Sequence, residues 1–459
     1  MSTSEEFKEK FKYKNLKDHY FEKVRSKANP GLDKITRRVF ERNLVENIKI
    51  ISRKVVNGNY KFTPYKQKLF SKGRGKPPRV ISIPTIRDKL TLSVLKEIIH
   101  NQFSDDLYHF IVQTIIDEIK NTIENEKFNY YIKIDISNFF GSLNHDFLLE
   151  KIKNKTRNQK MIDLIRNAII TPTVPENSLT QNRKTKNDKG VPQGLPISNI
   201  LSSIYLMDFD NKHLNSNEYD YYRFVDDILI LCNKEEFESI ENKFIKKSKN
   251  DMKFLNIDDN NHLKINEEKK EIGKIKEGFI YLGYQIAGKD FSVRDKSRYN
   301  LEHSIEDIFV KHSRSGFQNI DLFLWELNLR ITGCFIDEND KYGWMFFFSQ
   351  MNDKTLLFEL DWLVQKFIDR FDLRDKIDED EVKRFVRTYH EINYNLHETN
   401  YIPDFDEYDE NDKRNFLINV IDIDKEKINK MDEDELELNF FRNIYPSIKK
   451  LEKDFQDIS

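Results

Sequence analysis

The apolar positions of this chain switch repeatedly between helical spacing and short strand-like runs. Between residues 86 and 125 they recur every three or four positions, which predicts helix. The runs Tyr130–Ile136, Tyr221–Val225 and Ile228–Cys232 are apolar and rich in β-branched or aromatic residues, which predicts strands. Because only two residues separate the last two runs, they predict a β-hairpin.

Other segments carry the same two signals. Residues 1–60 predict helices interrupted at Asn29–Gly31, and residues 61–84 predict a pair of strands. Further expected elements are a helix from near Asn144, a loop or small hairpin over 172–189, a helix over Pro196–Met207, a charged amphipathic helix over Lys234–Met252, strands at Leu263–Ile265 and Phe279–Ile286, and helices from about residue 294 onward. This mixture predicts an α+β front half and an α-helical back half.

Charge is distributed unevenly along the 459 residues, a length that allows two to three domains. The net charge is only −2, so no bulk basic tail is present. Residues 51–90, however, contain 11 Lys and Arg and a single acidic residue, whereas residues 401–459 contain 17 Asp and Glu against nine Lys and Arg. A basic front segment of this kind suits a polyanion, although a solvated basic face is an equally open interpretation.

The two cysteines, Cys232 and Cys334, are far apart and flanked by apolar residues. With no Cys-x-x-Cys motif or Cys/His cluster, a structural zinc site is not expected. No apolar run approaches the ~18 residues of a membrane span, and the N-terminus lacks the apolar core of a signal peptide. These observations predict a cytoplasmic protein with reduced, buried thiols and no membrane partner.

Three carboxylates lie at the ends of predicted strands. Asp226 and Asp227 occupy the turn of the hairpin, where Asp is common because it tolerates positive φ. Asp135 ends an apolar strand, where a buried charge needs a partner and could instead cap a helix or form a salt bridge. Carboxylates from adjacent strands can together hold two Mg²⁺ ions, the arrangement needed for in-line nucleotidyl transfer.

Seven motifs follow one another along the chain: Asn29–Asp33, Arg79–Lys89, Asp135–Phe140, Gly190–Ser198, Phe224–Asp227, Leu263–Lys269 and Tyr281–Tyr284. In these motifs and their order, residues 28–290 resemble the palm of a bacterial reverse transcriptase of the group II intron-like and retron superfamily. The resemblance implies an α+β right-hand polymerase, with fingers, an antiparallel palm sheet and a thumb, followed by an α-helical C-terminal region. It divides the chain into an N-terminal extension with fingers (1–129), a palm (130–290), a helical thumb (291–395) and an acidic helical tail (396–459).

The resemblance also implies the roles of the three carboxylates. Asp135, Asp226 and Asp227 would be catalytic and, with the backbone carbonyl of Ile136, would bind two Mg²⁺ ions, for which Mn²⁺ is an alternative. Asp135 and Asp226 are expected to be the principal ligands. Asp227 is expected to lie closer to the primer end and to bind metal less directly.

Several residues are expected to contact the nucleotide. Lys72 and Arg79 suit a triphosphate, although a solvated basic hairpin stays open and Arg74 or Lys76 could replace Lys72. Phe140 resembles the ring that excludes a 2′-OH, with plain core packing as its alternative.

Motif B and motif D add three further contacts. Gln193 would hydrogen-bond the template or the incoming base, and Gly194 would allow a close backbone approach; a turn with a helix cap is the alternative for both. Lys269 resembles a lysine proposed to protonate pyrophosphate, with a solvated turn as its alternative.

Tyr281, Leu282 and Gly283 resemble the primer grip of the same family. Gly283 would permit a tight hairpin there, and core packing is the open alternative for the aromatic residues.

The chain departs from the family pattern at two places. Phe224 stands where Tyr is usual, which removes a hydroxyl near the primer end, and altered fidelity or rate is expected rather than inactivity. Gly141 stands where intron enzymes commonly have Asp. His145, at the start of a helix, is expected to cap or pack rather than to catalyse.

The back half contains aromatic residues between 331 and 362 that could stack on nucleic acid or form a helical core. The whole chain resembles defence-associated and abortive-infection reverse transcriptases, and weakly the smaller polymerase of the type 3 two-polymerase defence system. This implies synthesis of DNA from dNTPs on a non-coding RNA template, with a second polymerase subunit or a homo-oligomer as a further partner. Template-independent or protein-primed synthesis, or an RNA-binding maturase or scaffold, are the alternatives.

Overall fold

Helices and strands alternate in the first 290 residues, and helices dominate thereafter. The computed structural model describes residues 2–71, 75, 77–108, 111–179, 183–247, 253–257, 261–337 and 340–455. The α-helices are α1 (Thr3–Lys10), α2 (Tyr13–His19), α3 (Arg37–Arg42), α4 (Leu44–Val56), α5 (Ile86–Phe103), α6 (Val112–Glu124), α7 (Phe139–Ser142), α8 (His145–Lys155), α9 (Gln159–Ile170), α10 (Ser198–Leu214), α11 (Phe237–Phe244), α12 (Asp295–Ser313), α13 (Ile320–Thr332), α14 (Trp344–Phe347), α15 (Lys354–Arg370), α16 (Phe385–Tyr394), α17 (Glu410–Asn415), α18 (Lys425–Asn429) and α19 (Glu433–Leu451).

The strands are short and most of them form antiparallel pairs. They are β1 (Tyr65–Phe70), β2 (Arg79–Ile83), β3 (Tyr130–Asp135), β4 (Thr173–Val174), β5 (Tyr219–Phe224), β6 (Asp227–Cys232), β7 (Ile245–Lys247), β8 (Lys253–Asn256), β9 (His262–Lys264), β10 (Glu271–Lys274), β11 (Phe279–Tyr281), β12 (Tyr284–Ala287), β13 (Asp290–Val293), β14 (Cys334–Ile336) and β15 (Asp340–Tyr342). The α+β fold class predicted from the sequence is confirmed.

The chain forms two compact units. Unit 1 comprises Met1–His109 and Ile132–Glu271, and unit 2 comprises Phe110–Tyr131 and Ile272–Ser459. The division into fingers, palm, thumb and tail stays a prediction.

The central sheet of unit 1 places β6 between β3 and β5. All six residues of β6 are buried, as expected for an apolar run covered on both faces. β5 and β6 are antiparallel, and Phe224 pairs with Asp227, so Val225 and Asp226 alone form the connecting turn. The predicted hairpin is therefore confirmed, but its turn lies one residue earlier than expected, because Asp227 already pairs with Phe224 as the first residue of β6.

A second sheet in unit 1 has the strand order β2–β1–β4. β1 runs antiparallel to β2 and parallel to β4, with Phe70 opposite Arg79. The predicted strand pair within residues 61–84 is confirmed.

A buried carboxylate on α5 forms hydrogen bonds with the segment that leads into β1. Asp88 is only 2% exposed and accepts hydrogen bonds from the Tyr60 hydroxyl (2.8 Å), the Thr63 N–H (3.1 Å) and the Thr85 hydroxyl (2.8 Å). Burial raises the pKa of Asp88 to about 6, in spite of these hydrogen bonds.

Asp88→Asn is expected to flatten part of the pH dependence of stability. Because the pKa of Asp88 is about 6 when folded and ordinarily 3.8, its contribution to stability is largest below about pH 4 and is lost as the pH rises through about 6. The loss amounts to roughly 3 kcal/mol at most. Thermal unfolding of wild type and variant between these pH values measures it, with Asp146→Asn, at an exposed position of α8, as control. Parallel pH profiles for wild type and Asp88→Asn would contradict this expectation.

Unit 2 contains the antiparallel sheet β11–β12–β13 and most of the later helices. Its aromatic segment is largely core, since Trp344 is 1% exposed and Phe348 is fully buried, which confirms the packing alternative for these rings. Phe358 and Trp362 on α15 are exceptions, at 62% and 59% exposure, and the Lys366 Nζ lies 3.7 Å from the Trp362 ring centroid.

One predicted element was wrong in extent. The amphipathic helix expected over Lys234–Met252 ends as α11 at Phe244, because Ile245 instead buries its side chain and pairs with Leu255 between β7 and β8. The helical periodicity predicted over 86–125 is confirmed in two helices, α5 and α6, and only the break between them was not expected. Among the described residues, no helix is long and apolar enough to cross a membrane.

Candidate active site

The turn that carries the carboxylates contains a strained residue. Val225 has φ of 56°, a left-handed conformation that β-branched residues rarely adopt. The sequence predicted positive φ at the Asp pair of this turn, but in the structure it occurs at the preceding residue, Val225. Asp226 occupies the second turn position and Asp227 begins β6. Such strain persists only where surrounding contacts hold it.

Arg223 on β5 supplies one of these contacts. Its Nη1 donates a hydrogen bond to the Val225 carbonyl at 2.9 Å. The same guanidinium forms a fork with Asp210 on α10, through Nε to Oδ1 at 2.8 Å and through a shorter Nη2–Oδ2 contact. The Tyr221 hydroxyl also donates to Asp210 Oδ1 at 2.7 Å. A buried ion pair thus links α10 to the backbone of the turn.

Asp135 is brought to this turn by the backbone of the next residue. The Ile136 N–H donates to the Asp226 carbonyl at 3.1 Å, which fixes the end of β3 beside the turn. Asp135 is 4% exposed, and both its oxygens are hydrogen-bonded: Asn266 Nδ2 donates to Oδ1 (3.0 Å) and Lys269 Nζ donates to Oδ2 (2.7 Å). The three predicted carboxylates and Lys269 therefore share one site.

The charges of this site are strongly coupled. Burial, followed by the charge of Asp135, raises the pKa of Asp226. Burial and the charges of Asp226 and Asp135 raise the pKa of Asp227 to about 7. Burial lowers the pKa of Lys269, but its hydrogen bond to Asp135 and the charges of the three carboxylates together outweigh this effect, and the pKa is raised overall. The site thus holds more negative charge than its own lysine neutralises, which favours a bound cation.

The donor set suits Mg²⁺. Within the described residues, no group of three or more His, Cys, Asp or Glu side chains converges as a metal site. Mg²⁺ commonly uses only one or two protein carboxylates and completes its octahedron with water and substrate phosphates. Asp135 and Asp226, the predicted principal ligands, meet that requirement, and excess buried negative charge is relieved by a divalent ion. The Ile136 carbonyl as a ligand stays a prediction.

The two phenylalanines after β3 have different environments. Phe139 is 2% exposed and supplies the core contact, whereas Phe140 is only partly buried. Core packing therefore accounts for Phe139 and does not require Phe140.

The motif B loop is packed directly on α7. The Gly190 N–H donates to the Leu143 carbonyl at 2.7 Å, and Gly190 has φ of 81°. A Cβ on Gly190 would lie 3.0 Å from the backbone of Gly141, so the two glycines allow close approach of the two segments. His145 Nε2 is 2.7 Å from the Gly190 carbonyl and buried, which agrees with its predicted packing role.

Gln193 and Gly194 follow this loop and contact β2. The Gln193 carbonyl accepts a hydrogen bond from the Ser82 N–H at 2.8 Å. Gly194 has φ of 95°, and a Cβ there would lie 2.7 Å from Ile81 Cγ2. Packing on β2 thus explains why position 194 is glycine. Contact with a nucleotide stays a prediction for Gln193 and Gly194.

The predicted triphosphate ligands are only partly described. Arg79 begins β2. Burial and Asp135 raise the pKa of Asp226, and the positive charge of Arg79 opposes this rise. Arg79 therefore interacts electrostatically with the carboxylate site. Lys72 and its possible substitutes Arg74 and Lys76 lie outside the described residues.

The predicted primer grip lies in unit 2. Leu282 and Gly283 have φ of 47° and 85° and form the turn between β11 and β12, which confirms the predicted hairpin. Tyr281 and Leu282 are 1% and 3% exposed. Packing therefore accounts for both side chains, and any primer contact here would use the backbone of the turn.

Sequence reasoning missed Asp210, Arg223 and Asn266. Arg223 lies in a predominantly apolar and aromatic segment, where a charged residue signals a buried partner, whereas Asp210 stands in a polar stretch that gives no such signal. Asn266 lies inside the quoted motif D, but no signal in the sequence assigned its amide to Asp135.

The comparisons agree with this geometry. The family described as "Reverse transcriptase (RNA-dependent DNA polymerase)" matches residues 70–286. The chain is 21% identical to Protein YkfC of Escherichia coli K12, over 66% of this chain and 86% of that protein. It is 28% identical to the group II intron-encoded protein LtrA of Lactococcus lactis, over 36% of this chain but only 28% of LtrA.

A solved structure of telomerase from Candida albicans, in complex with a fragment of telomeric RNA, is also similar. It is 12% identical, covers 86% of this chain and 68% of its own, and has a TM-score of 0.44. Residues 70–286, just under half of the chain, match the reverse transcriptase family, and this match indicates an RNA-directed DNA polymerase over that part of the chain.

Proposed function

We propose that the protein is an active reverse transcriptase that adds dNTPs to a primer on an RNA template. The observation that carries this proposal is that the end of β3, which bears Asp135, is hydrogen-bonded to the β5–β6 turn, which holds Asp226 and leads directly into Asp227 at the start of β6. Burial and the charges of neighbouring carboxylates raise the pKa of Asp226 and of Asp227, as expected for groups that share cations.

Asp135 and Asp226 would hold two Mg²⁺ ions, which when bound activate the primer hydroxyl and stabilise the leaving oxygen. Asp227 would support the site electrostatically from the start of β6. Lys269 donates to Asp135 Oδ2, so its ammonium lies beside a proposed metal ligand, where it would supply a proton to pyrophosphate.

Metal dependence tests this assignment. Purified protein with an RNA template and a DNA primer is expected to incorporate dNTPs with Mg²⁺ or Mn²⁺ and to stop when EDTA is added. Incorporation that persists in EDTA would contradict the roles of Asp135 and Asp226.

Phe140→Ala is expected to admit ribonucleotides. Since Phe139 supplies the buried contact, removing the Phe140 ring deletes the proposed clash with a 2′-OH at little cost in packing. The preference for dNTP over rNTP should fall about 10- to 200-fold, the range for one small steric contact. Ratios of kcat/KM for dATP and ATP measure it.

Phe358→Ala, which removes a 62% exposed ring from unit 2, is the control for that experiment and should leave the preference unchanged. An unaltered preference in Phe140→Ala would reject the gating role.

We further propose that the template is a dedicated non-coding RNA and that the product serves anti-phage defence, in a cytoplasmic complex with a second polymerase subunit or a second copy of the chain. Support for this comes from the resemblance to defence-associated enzymes. Sequencing of co-purifying nucleic acid should identify one RNA and its complementary DNA, and loss of that DNA in Asp226→Asn should coincide with loss of phage resistance. Resistance that survives the substitution would favour the scaffold alternative.

A further inference from the structure

A cavity of about 320 Å³ opens between α12, α13 and α19 of unit 2. Four cationic side chains line it, and two carboxylates oppose them. The cationic residues are Lys311, Arg330, Lys450 and Lys453. The excess of positive charge in a concave site favours an anionic ligand.

Arg330 is the buried member of this group, with 6% exposure. Its Nη1 donates to the Lys450 carbonyl (3.0 Å) and to Asp454 Oδ2 (2.6 Å). Its Nε, also buried, has no hydrogen-bond partner among the described residues. A guanidinium N–H that is buried without an acceptor is costly, and an anion in the cavity would satisfy it.

Two of the four cations are already paired, Lys311 with Glu326 and Arg330 with Asp454, so Lys450 and Lys453 supply the remaining positive charge of the lining. Glu326 accepts hydrogen bonds from Lys311 Nζ at 2.6 Å and lies 2.8 Å from His312 Nε2. Asp307 lies 3.4 Å from His303 Nδ1. Lys450 and Lys453 are exposed at the rim, where their flexible side chains can reach a ligand seated on Arg330.

We propose that this cavity binds a phosphate monoester, either of a free nucleotide or of the 5′ end of a polynucleotide. Arg330 Nε would donate to a phosphate oxygen, and Lys450 and Lys453 would neutralise the remaining charge. Binding pockets for small molecules begin near about 300 Å³, so the cavity suits one nucleotide rather than a duplex.

Calorimetric titration of the full chain with inorganic phosphate and with AMP tests the proposal. Lys450→Ala combined with Lys453→Ala should weaken binding about 10-fold or more, because two of the charge-assisted contacts are lost. Lys425→Ala combined with Lys449→Ala removes the same charge from exposed positions of unit 2 that do not line the cavity, and should bind as wild type does. Asp226→Asn should also bind as wild type, which separates this site from the polymerase site.

Two RNA oligomers, identical except for a 5′-phosphate or a 5′-hydroxyl, distinguish the sources of the phosphate. A preference for the 5′-phosphate that disappears in the rim variant assigns the site to a polynucleotide end, whereas AMP binding without that preference assigns it to free nucleotides. Absence of saturable binding of phosphate and AMP to wild type, or equal binding by the rim and control variants, would overturn the proposal.

Discussion

Asp226→Asn is expected to abolish dNTP incorporation without unfolding the protein. The substitution preserves shape but removes one of the two principal metal ligands, and a catalytic ion contributes several kcal/mol of transition-state stabilisation. A loss of about 4 kcal/mol corresponds to roughly a 10³-fold lower rate. Because burial and Asp135 raise the pKa of Asp226, its ionised form is unfavourable in the fold, and the melting temperature of the variant should not fall.

The three carboxylates are expected to differ in how much activity is lost when each is replaced by asparagine. Asp135→Asn should match Asp226→Asn, whereas Asp227→Asn should lose less activity because Asp227 is expected to bind metal less directly. Single-turnover incorporation rates and thermal melting measure both properties, with Asp146→Asn on the surface of α8 as control. Comparable activity in Asp226→Asn and the control would contradict the assignment of the site.

Arg223→Lys is expected to slow catalysis about 10- to 100-fold, the range seen when groups that orient metal ligands are changed. Lysine can keep an ion pair with Asp210 but cannot also reach the Val225 carbonyl as the planar guanidinium does. The strained turn would then relax and displace Asp226. The loss should appear in kcat and in the Mg²⁺ concentration required, with little change in KM for dNTP.

Arg166→Lys on the exposed face of α9 is the control, and it should retain full kcat. Arg223→Ala is a poorer test, since it leaves Asp210 buried and unpaired at a cost of about 3–5 kcal/mol in stability. An Arg223→Lys enzyme with unchanged kcat and Mg²⁺ dependence would show that Arg223 supports the fold alone.

Strands and the β5–β6 hairpin were predictable because their signals are local. The two apolar runs and the two-residue gap around Asp226 are sufficient to predict β5, β6 and the turn between them. The position of Asp135 at the end of β3 follows from its own apolar run in the same way.

Contacts between distant segments were not predictable from those signals. Arg223 pairs with Asp210 across a helix–strand contact, and Lys269 reaches Asp135 from more than a hundred residues away. The positive φ of Val225 results from tertiary contacts, against the local preference of valine. The charged run around Lys269 was equally compatible with a solvated turn, and only the fold places its ammonium on Asp135.

The most direct test of RNA-directed synthesis is single-nucleotide incorporation on four RNA templates that differ in one base. With a fixed DNA primer and Mg²⁺, wild-type protein should add, on each template, the dNTP complementary to that base, and Asp226→Asn should add none. Addition of the same nucleotide on all four templates, or no addition by the wild type, would contradict the assignment of this chain as an RNA-directed DNA polymerase.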